Sequence, residues 1–325
     1  MNSKFTRRNF VKSSLLASAG AGLALRAQAQ EMAPKADAAA GPKQEVFPKG
    51  KIAGQEFSRL IMGGNLIGGW SHSRELQYVS TLMRRYNTPA KIRETLELGE
   101  YHGLTAINTY VMDDNSQIFD HWKNGGKIKW FSQARLDENG GFSQIQRAID
   151  EGAVGVHLTG DTCEKLLKGD DFDKVADSVQ FIRSHKRIAG VAAHDLKVIV
   201  ECEKRKIDVD FYQKTFHTHD YFTAPGPDDT GAMGAHDNSW CKDPEEVAKV
   251  FSTINKPFIA FKILAAGGIP PLAAFPYAFN SGADFILVGM FDWQIEADVD
   301  LARKVLHVAC GPHSKRTRPW CDSMA

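Results

Sequence analysis

The feature that most constrains the fold of this chain is a regular alternation of short apolar runs and amphipathic stretches. In a parallel sheet each strand returns to the same edge through a helix, so this alternation predicts an α/β protein. Eight repeats over about 260 residues match a single-domain (β/α)8 TIM barrel. The predicted strands are residues 59–63, 104–108, 128–132, 153–157, 188–192, 209–212, 257–261 and 285–289.

Helix starts and long connections can also be placed. Thr88 before Pro89, and Asp243 before Pro244, are typical of an N-cap followed by the first helical residue. Two connections, residues 70–87 after strand one and 216–242 after strand six, are too long for simple barrel turns. Loops of this length usually form lids or walls of active sites, so we expect the site beside them.

The first 29 residues predict an export signal. Arg7 and Arg8 precede a short apolar stretch over 13–25, and Ala27-Gln28-Ala29 resembles a cleavage site. This order is typical of a bacterial twin-arginine (Tat) signal peptide. We therefore expect the Tat translocase to export the protein to the periplasm or the medium. The expected domains are a signal peptide over 1–29, a flexible linker over 30–50, the barrel over 51–311 and a tail over 312–325.

Composition excludes several classes of protein. With 43% hydrophobic and 24% charged residues the chain can bury a large core, and its net charge of +1 is not that of a strongly basic nucleic-acid binder. After residue 29 no apolar run approaches the roughly 18 residues of a membrane-spanning helix. The five cysteines include no CxxC pair, and whether Cys310 and Cys321 form a disulfide stays open.

Three histidines predict a metal site. His217 and His219 lie two residues apart, so on an extended segment their side chains point the same way. His157, at the end of predicted strand four, can add a third imidazole. Imidazole is the commonest protein ligand for zinc and related divalent metals. We therefore expect a divalent metal, zinc, manganese or similar, at His157, His217 and His219; the alternative is an exposed histidine pair in a loop.

Two lysines and an aspartate are candidate catalytic residues, together with His157. Lys262 ends predicted strand seven inside an apolar run, and Lys214 has a similar place on strand six. Partial burial there lowers the pKa of a lysine, which can then act as a general base, a Schiff-base nucleophile or an anion clamp. Asp113 is a second acid/base candidate. The alternative for each lysine is an ammonium group that extends to solvent.

Glycines and aromatic residues near the strand ends suggest ligand contacts. Gly267 and Gly268 follow predicted strand seven and Gly289 ends predicted strand eight, where many barrels bind a phosphate through backbone N–H groups. The alternative is that these glycines serve tight turns. Flat rings in the predicted loops suit the faces of a sugar, and the same rings would serve equally for packing: Trp70, Tyr110, Tyr221, Phe222, Trp240, Phe291 and Trp293.

Three motifs resemble those of the aldo-keto reductases. Residues 103–118 resemble the family's GxxxxDTAxxYGxSE stretch, 154–157 its YxxxH, and 213–217 its QxxxH. The resemblance implies a TIM barrel that reduces carbonyls with a nicotinamide cofactor through an Asp, Tyr, Lys and His tetrad. The matching positions in this chain hold Asn108, Asp113, Gln133 and His157. Only the histidine is kept, so the resemblance implies this fold with altered chemistry.

Three functions follow as hypotheses. The first is an exported, metal-assisted hydrolase, lyase or isomerase that acts on a carbohydrate or small polyol. The second is an NADP-dependent oxidoreductase of the aldo-keto reductase type with rearranged catalytic residues. The third is a non-catalytic periplasmic binding protein. The polar residues at the strand ends argue against the third, since each unpaired buried polar group costs about 1–3 kcal/mol.

Overall fold

Eight parallel strands close into a barrel in the computed structural model, which describes residues 46–226 and 236–321. The strands are Leu60–Gly63 (β3), Ala106–Tyr110 (β4), Lys129–Ala134 (β5), Gly155–Leu158 (β6), Ile188–Ala193 (β7), Phe211–Thr215 (β8), Phe258–Phe261 (β9) and Phe285–Val288 (β10). Each strand pairs with its neighbours in sequence, and β10 pairs with β3 to close the barrel. The predicted TIM barrel is confirmed, and all eight predicted strands overlap observed ones.

Helices follow the strands around the outside. Thr88 caps its helix through a hydrogen bond from the Lys91 backbone N–H to its hydroxyl (3.3 Å), as the Thr-Pro pair predicts. None of the helices within residues 46–226 and 236–321 combines the length and apolarity needed to cross a bilayer. The helices are Asn65–Gly68 (α1), Tyr78–Tyr86 (α2), Pro89–Tyr101 (α3), Ser116–Lys123 (α4), Ser143–Asp150 (α5), Gly160–Lys168 (α6), Asp173–Ser184 (α7), Leu196–Lys204 (α8), Pro244–Phe251 (α9), Pro271–Asn280 (α10) and Asp292–Ala309 (α11).

A β-hairpin closes the amino-terminal end of the barrel. Its strands, Lys49–Ile52 (β1) and Gln55–Ser58 (β2), are antiparallel and joined by Ala53 and Gly54, both with positive φ, as a two-residue hairpin turn of type I′ requires. Ile52 and Phe57 are fully buried against apolar residues near the starts of the barrel strands. These partners include Ile61, Ala106, Phe131, Ile188, Phe211, Ile259 and Phe285.

Alternation along the strands decides which polar groups reach the barrel interior. Phe211 belongs to the interior cluster, so Gln213, two residues on, also faces inward. Tyr212 packs in the larger core between barrel and helices, and Lys214 shares its outward side. The same alternation directs Asn108 and Gln133 inward, above the apolar interior.

The last described residues are held to the barrel by a buried carboxylate. Asp284, at the start of β10, is inaccessible to solvent and pairs with Arg316 (2.7 Å) and Arg318 (2.8 Å). Its oxygens also accept hydrogen bonds from the backbone N–H groups of Phe258 and Cys321. The segment after α11 is therefore tied to the barrel wall through two ion pairs.

Candidate active site

The barrel mouth contains a cavity of about 290 Å³ at the carboxyl ends of the strands. In barrels of this architecture the active site lies at this end. Its walls include the loop after β3 and the segment after β9, and its floor is polar. Larger grooves lie on the outside of the barrel among the helices, and one of them reaches the outward-facing Lys214. The mouth cavity is therefore the candidate active site.

The floor is a network of side-chain amides. Gln133 donates to Asn108 (2.9 Å), and the Asn108 amide donates to His157 Nε2 (2.9 Å) and to Gln213 Oε1 (3.2 Å). Burial lowers the pKa of His157 to about 4, so its imidazole is neutral and can accept this hydrogen bond. Three of the four positions that the resemblance matches to the reductase tetrad are Asn108, Gln133 and His157. Hydrogen bonds between their uncharged side chains join them.

Lys262 lies in the mouth within a chain of polar contacts. Its Nζ donates to His72 Nε2 and lies 3.6 Å from the centre of the Trp240 ring. His72 Nδ1 in turn donates to Asp237 Oδ1 at 2.5 Å. Burial lowers the pKa of Lys262 to about 7, so near neutral pH a large share of this side chain is an uncharged amine.

The pKa values of His72 and Asp237 are also shifted. Burial, and next the positive charge of Lys262, lower the pKa of His72, so its ring stays neutral at neutral pH. Burial is the largest single effect on Asp237 and opposes its charged form, but the hydrogen bonds from His72 and from the Ser73 backbone N–H together outweigh it, so the pKa of that carboxyl is lowered. The three groups therefore form a carboxylate–imidazole–amine relay that carries one negative charge when Lys262 is unprotonated.

An unusual backbone conformation aims Lys262 into the mouth. β9 ends at Phe261, which also lines the cavity, so continued alternation would turn residue 262 away from it. Lys262 instead has a φ of 56°, and Ala265 and Ala266 have φ values of 45° and 52°. Left-handed conformations of non-glycine residues cost about 1–3 kcal/mol each and cluster at functional sites. The strain lies where the candidate catalytic group is positioned.

The described residues do not form the predicted metal site. His217 Nδ1 donates to the Thr218 carbonyl (2.9 Å), and its Nε2 accepts from the backbone N–H groups of Trp240 and Cys241 (3.0 Å each). His219 Nε2 donates to the Cys241 carbonyl (2.7 Å). His157 is part of the amide floor. Among the described residues, no group of three His, Cys, Asp or Glu side chains could hold a metal ion.

The remaining predicted residues divide between the mouth and other places. Lys214 lies outside the barrel wall, where it donates to the Thr215 carbonyl and hydroxyl (2.9 and 2.7 Å), and burial lowers its pKa. Asp113 accepts a hydrogen bond from the Trp70 indole (2.6 Å), and burial raises its pKa. Neither lines the mouth cavity. Both of these predicted catalytic groups are therefore separated from Lys262.

The predicted cofactor glycines have different roles. Gly267 and Gly289 line the cavity, whereas Gly268 is not among its lining residues. A Cβ at Gly289 would lie 3.3 Å from the Leu66 side chain, which indicates a packing role. Gly267 has a φ of 79° and open space around a Cβ, so its backbone conformation accounts for glycine there.

In the sequence nothing marks His72 and Asp237 as members of the site, since each lies in a long loop without a motif.

Comparisons with known proteins show the fold. No family model and no curated protein matches the chain. Among solved structures, 247 chains match. One, described as "Putative aldo-keto reductase from Pseudomona aeruginosa", aligns with a TM-score of 0.55 at 14% identity, over 80% of this chain and 94% of that one. The chain therefore shares its fold with this structure.

Proposed function

We propose that this chain is an enzyme of carbonyl–alcohol chemistry in which Lys262 transfers a proton to or from a small substrate. The observation that carries the proposal is the Lys262 amine, with its pKa lowered to about 7, held against His72 inside the barrel mouth. A general acid or base works best when its pKa lies near the working pH. The amine form can take the proton from the carbon next to a substrate carbonyl, which leaves an enolate, and the resulting ammonium form can return a proton to that carbon or to the enolate oxygen.

The neighbouring groups support this role. His72 accepts the Nζ hydrogen bond while Asp237 holds the imidazole in the tautomer with its proton on Nδ1. The amide floor offers further hydrogen-bonding groups for a substrate carbonyl or hydroxyl without adding charge. Apolar side chains such as Leu66, Phe261 and Leu287 also line the cavity. A small substrate with one reactive oxygen fits this arrangement.

The likeness to an aldo-keto reductase structure favours the oxidoreductase hypothesis over the metal-assisted one. The metal-assisted hypothesis loses its main support because His217 and His219 hydrogen-bond to the backbone and His157 to the Asn108 amide. A non-catalytic binding protein would have no need for a lysine with a pKa near 7 on a strained backbone.

The described residues do not fit a whole nicotinamide dinucleotide. Phe261 and the floor amides suit the nicotinamide ring, since a flat ring can stack and its carboxamide can be hydrogen-bonded. The segments 263–270 and 289–294 after β9 and β10, however, contain no lysine or arginine. Asp292 adds a carboxylate in the first turn of α11, where a cofactor phosphate would bind. The proposal therefore covers proton transfer and assigns no hydride step.

Two separate experiments measure the pKa of Lys262 and its proton transfer to or from a substrate. Reductive ¹³C-methylation followed by NMR titration reports the pKa of Lys262, with Lys262→Met to assign the signal. Exchange of the α-protons of hydroxyacetone and dihydroxyacetone in D₂O, followed by ¹H NMR, reports proton transfer without a cofactor. We expect a pKa near 7 and exchange that Lys262→Met abolishes. A pKa above 9, or full exchange in the methionine variant, would refute the proposal.

A nicotinamide-dependent reductase is the second candidate, favoured by the shared fold and by the ring and amides at the cavity floor. Binding of NADPH or NADH at 100 times its dissociation constant should add about 2.7 kcal/mol to the free energy of unfolding. A rise in melting temperature with NADPH, lost on substitution of Gln213 by alanine, would support this candidate. An unchanged melting temperature with both cofactors would remove it.

Export by the Tat translocase to the periplasm or medium is a further proposal, carried by the twin arginines before an apolar stretch and the Ala27-Gln28-Ala29 site. Residues 1–29 lie outside the described residues. Fusion of residues 1–35 to a fluorescent protein, with Arg7→Lys and Arg8→Lys as the matched control, tests it. Equal export of both fusions would contradict the proposal.

A further inference from the structure

Three polar residues that the proposed proton transfer does not use meet at one short piece of backbone. They are Lys214, at the end of β8, and His217 and His219, which follow it. The backbone that they meet is that of residues 240–241, which lie in the long connection between β8 and α9 and belong to neither a helix nor a strand. We refer to it as the 240–241 segment.

Every backbone polar group of the 240–241 segment bonds to a side chain at or just after the end of β8. The N–H groups of Trp240 and Cys241 both donate to His217 Nε2 (3.0 Å each). The Cys241 carbonyl accepts from His219 Nε2 (2.7 Å), and the Trp240 carbonyl accepts from the Thr215 hydroxyl (2.6 Å). Exposed loop backbone can bond to water, whereas these four groups bond to side chains anchored on the barrel. The end of β8 therefore fixes where the segment lies.

Lys214 supports this arrangement from outside the barrel wall. Its Nζ donates to the Thr215 hydroxyl (2.7 Å). A hydroxyl oxygen that accepts from an ammonium keeps its own proton to donate. The nearest carbonyl to receive that proton is the one of Trp240 at 2.6 Å, while the carbonyl of His194 lies at 3.3 Å. The buried lysine thus orients the hydroxyl that holds the segment.

The side chain that this segment carries into the mouth is the ring against which the Lys262 amine lies. Nζ of Lys262 is 3.6 Å from the centre of the Trp240 ring. The His72 ring lies 4.9 Å from the same indole, and the indole N–H donates to the Asp237 carbonyl (2.9 Å). Trp240 therefore meets all three residues of the carboxylate–imidazole–amine relay.

We propose that Trp240 is a positioning residue for the proton transfer at Lys262 and that His217 and His219 hold it in place. This inference rests on the proposed function. The indole ring sets how the amine approaches His72 and keeps water from one side of it. The histidine pair, whose spacing resembles that of metal ligands, acts on the reaction through the backbone of residues 240–241.

Trp240→Ala tests the inference through the pKa of Lys262 and through exchange of the α-protons of hydroxyacetone in D₂O. The ring attracts the ammonium form but also excludes water, and burial is the largest effect on this lysine, so the entry of water decides the sign. We expect the pKa to rise from about 7 to roughly 8 or higher. We expect kcat to fall roughly 10–100-fold, while KM changes by less than about twofold.

Trp293→Ala is the matched control for this variant. Trp293 is 67% exposed on α11 and does not line the mouth cavity. The same truncation there should change neither the pKa of Lys262 nor kcat. Trp240 itself is only partly buried, so its truncation should leave the protein folded, which circular dichroism checks.

A pair of variants at His217 tests the second part of the inference without touching the ring. His217→Gln keeps an acceptor for the two backbone N–H groups, whereas His217→Leu has none. The leucine variant should raise the pKa of Lys262 and lower kcat, and the glutamine variant should restore both towards the wild type. A histidine with a purely structural role would instead lower the free energy of unfolding and leave the pKa of Lys262 in the folded protein unchanged.

Two results would overturn the inference. One is a pKa near 7 together with full kcat in Trp240→Ala, and the other is an unchanged pKa of Lys262 in His217→Leu. Exchange that Lys262→Met abolishes and Trp240→Ala leaves intact would refute the positioning role and keep the proposed function. A wild type without exchange, in which Trp240→Ala still raises the pKa of Lys262, would refute the proposed function and leave the positioning of the amine standing.

Discussion

Replacement of Lys262 by methionine should raise the free energy of unfolding at low pH and should abolish the proposed proton transfer. The ordinary pKa of a lysine is 10.5 and that of Lys262 is about 7. Since one pKa unit corresponds to about 1.4 kcal/mol, holding the charged form in the mouth costs at most about 5 kcal/mol, and partial solvation reduces this to about 2–3 kcal/mol. Methionine has a similar length, no charge and the same backbone requirement at φ 56°.

The sign of the pH dependence follows from proton binding. Between pH 7 and 10.5 the unfolded chain binds more protons at this lysine than the folded chain, so the stability of the wild type rises with pH across that range. Below pH 7 the cost of the buried charge is fully present. The methionine variant should therefore exceed the wild type in stability most at pH 6, and the difference should vanish by about pH 10.5.

Urea unfolding at pH 6, 8 and 10, followed by circular dichroism, measures this difference. Lys262→Arg is the control, since a guanidinium keeps its charge over the whole range and should be less stable than the wild type at pH 10. A methionine variant that is less stable than the wild type at pH 6 would refute the reasoning. So would a difference in stability that does not depend on pH.

Three further predictions concern single side chains. Asp237→Asn removes a negative charge that raises the pKa of Lys262, so this pKa should fall further; NMR titration of the methylated lysine checks it, and an upward shift would contradict the relay. Arg318→Met leaves the buried carboxylate of Asp284 with one partner fewer and should destabilise the protein by about 3–5 kcal/mol in urea unfolding; a loss below 1 kcal/mol would show that the pair contributes little. His217→Ala leaves two backbone N–H groups without their acceptor and should cost about 1–3 kcal/mol for each, without changing the metal content measured by plasma mass spectrometry. If the wild type contained a metal that the His217→Ala variant lacked, this result would support the metal site predicted from the sequence.

The barrel could be predicted from the sequence because its strands are buried on both sides and therefore read as continuous apolar runs. The β1–β2 hairpin could not, since its strands, Lys49–Ile52 and Gln55–Ser58, are four residues long and half polar. Such segments give no periodic signal, and only the packing of Ile52 and Phe57 into the barrel end fixes them as strands.

The site was predictable in part. Lys262 stands out as a charged residue at the end of an apolar strand. His72 and Asp237 do not, because 165 positions separate them in sequence and only the closed barrel brings their loops together. The spacing of His217 and His219 predicted a metal site because two imidazoles on one side of an extended segment suit metal ligands. In the structure both rings instead form hydrogen bonds with the backbone of residues 240–241. Lys214 was misplaced because strand alternation turns it outward.

The β1–β2 hairpin at the amino-terminal end of the barrel has a consequence for substrate entry and product release. Ile52 and Phe57 fill the amino-terminal end of the barrel, so within the described residues the candidate active site opens at the carboxyl ends of the strands and not through the barrel. A molecule that has reacted above the amide floor must leave through the opening by which it came. Product and incoming substrate therefore exclude each other from the same passage, and inhibition by product should be competitive.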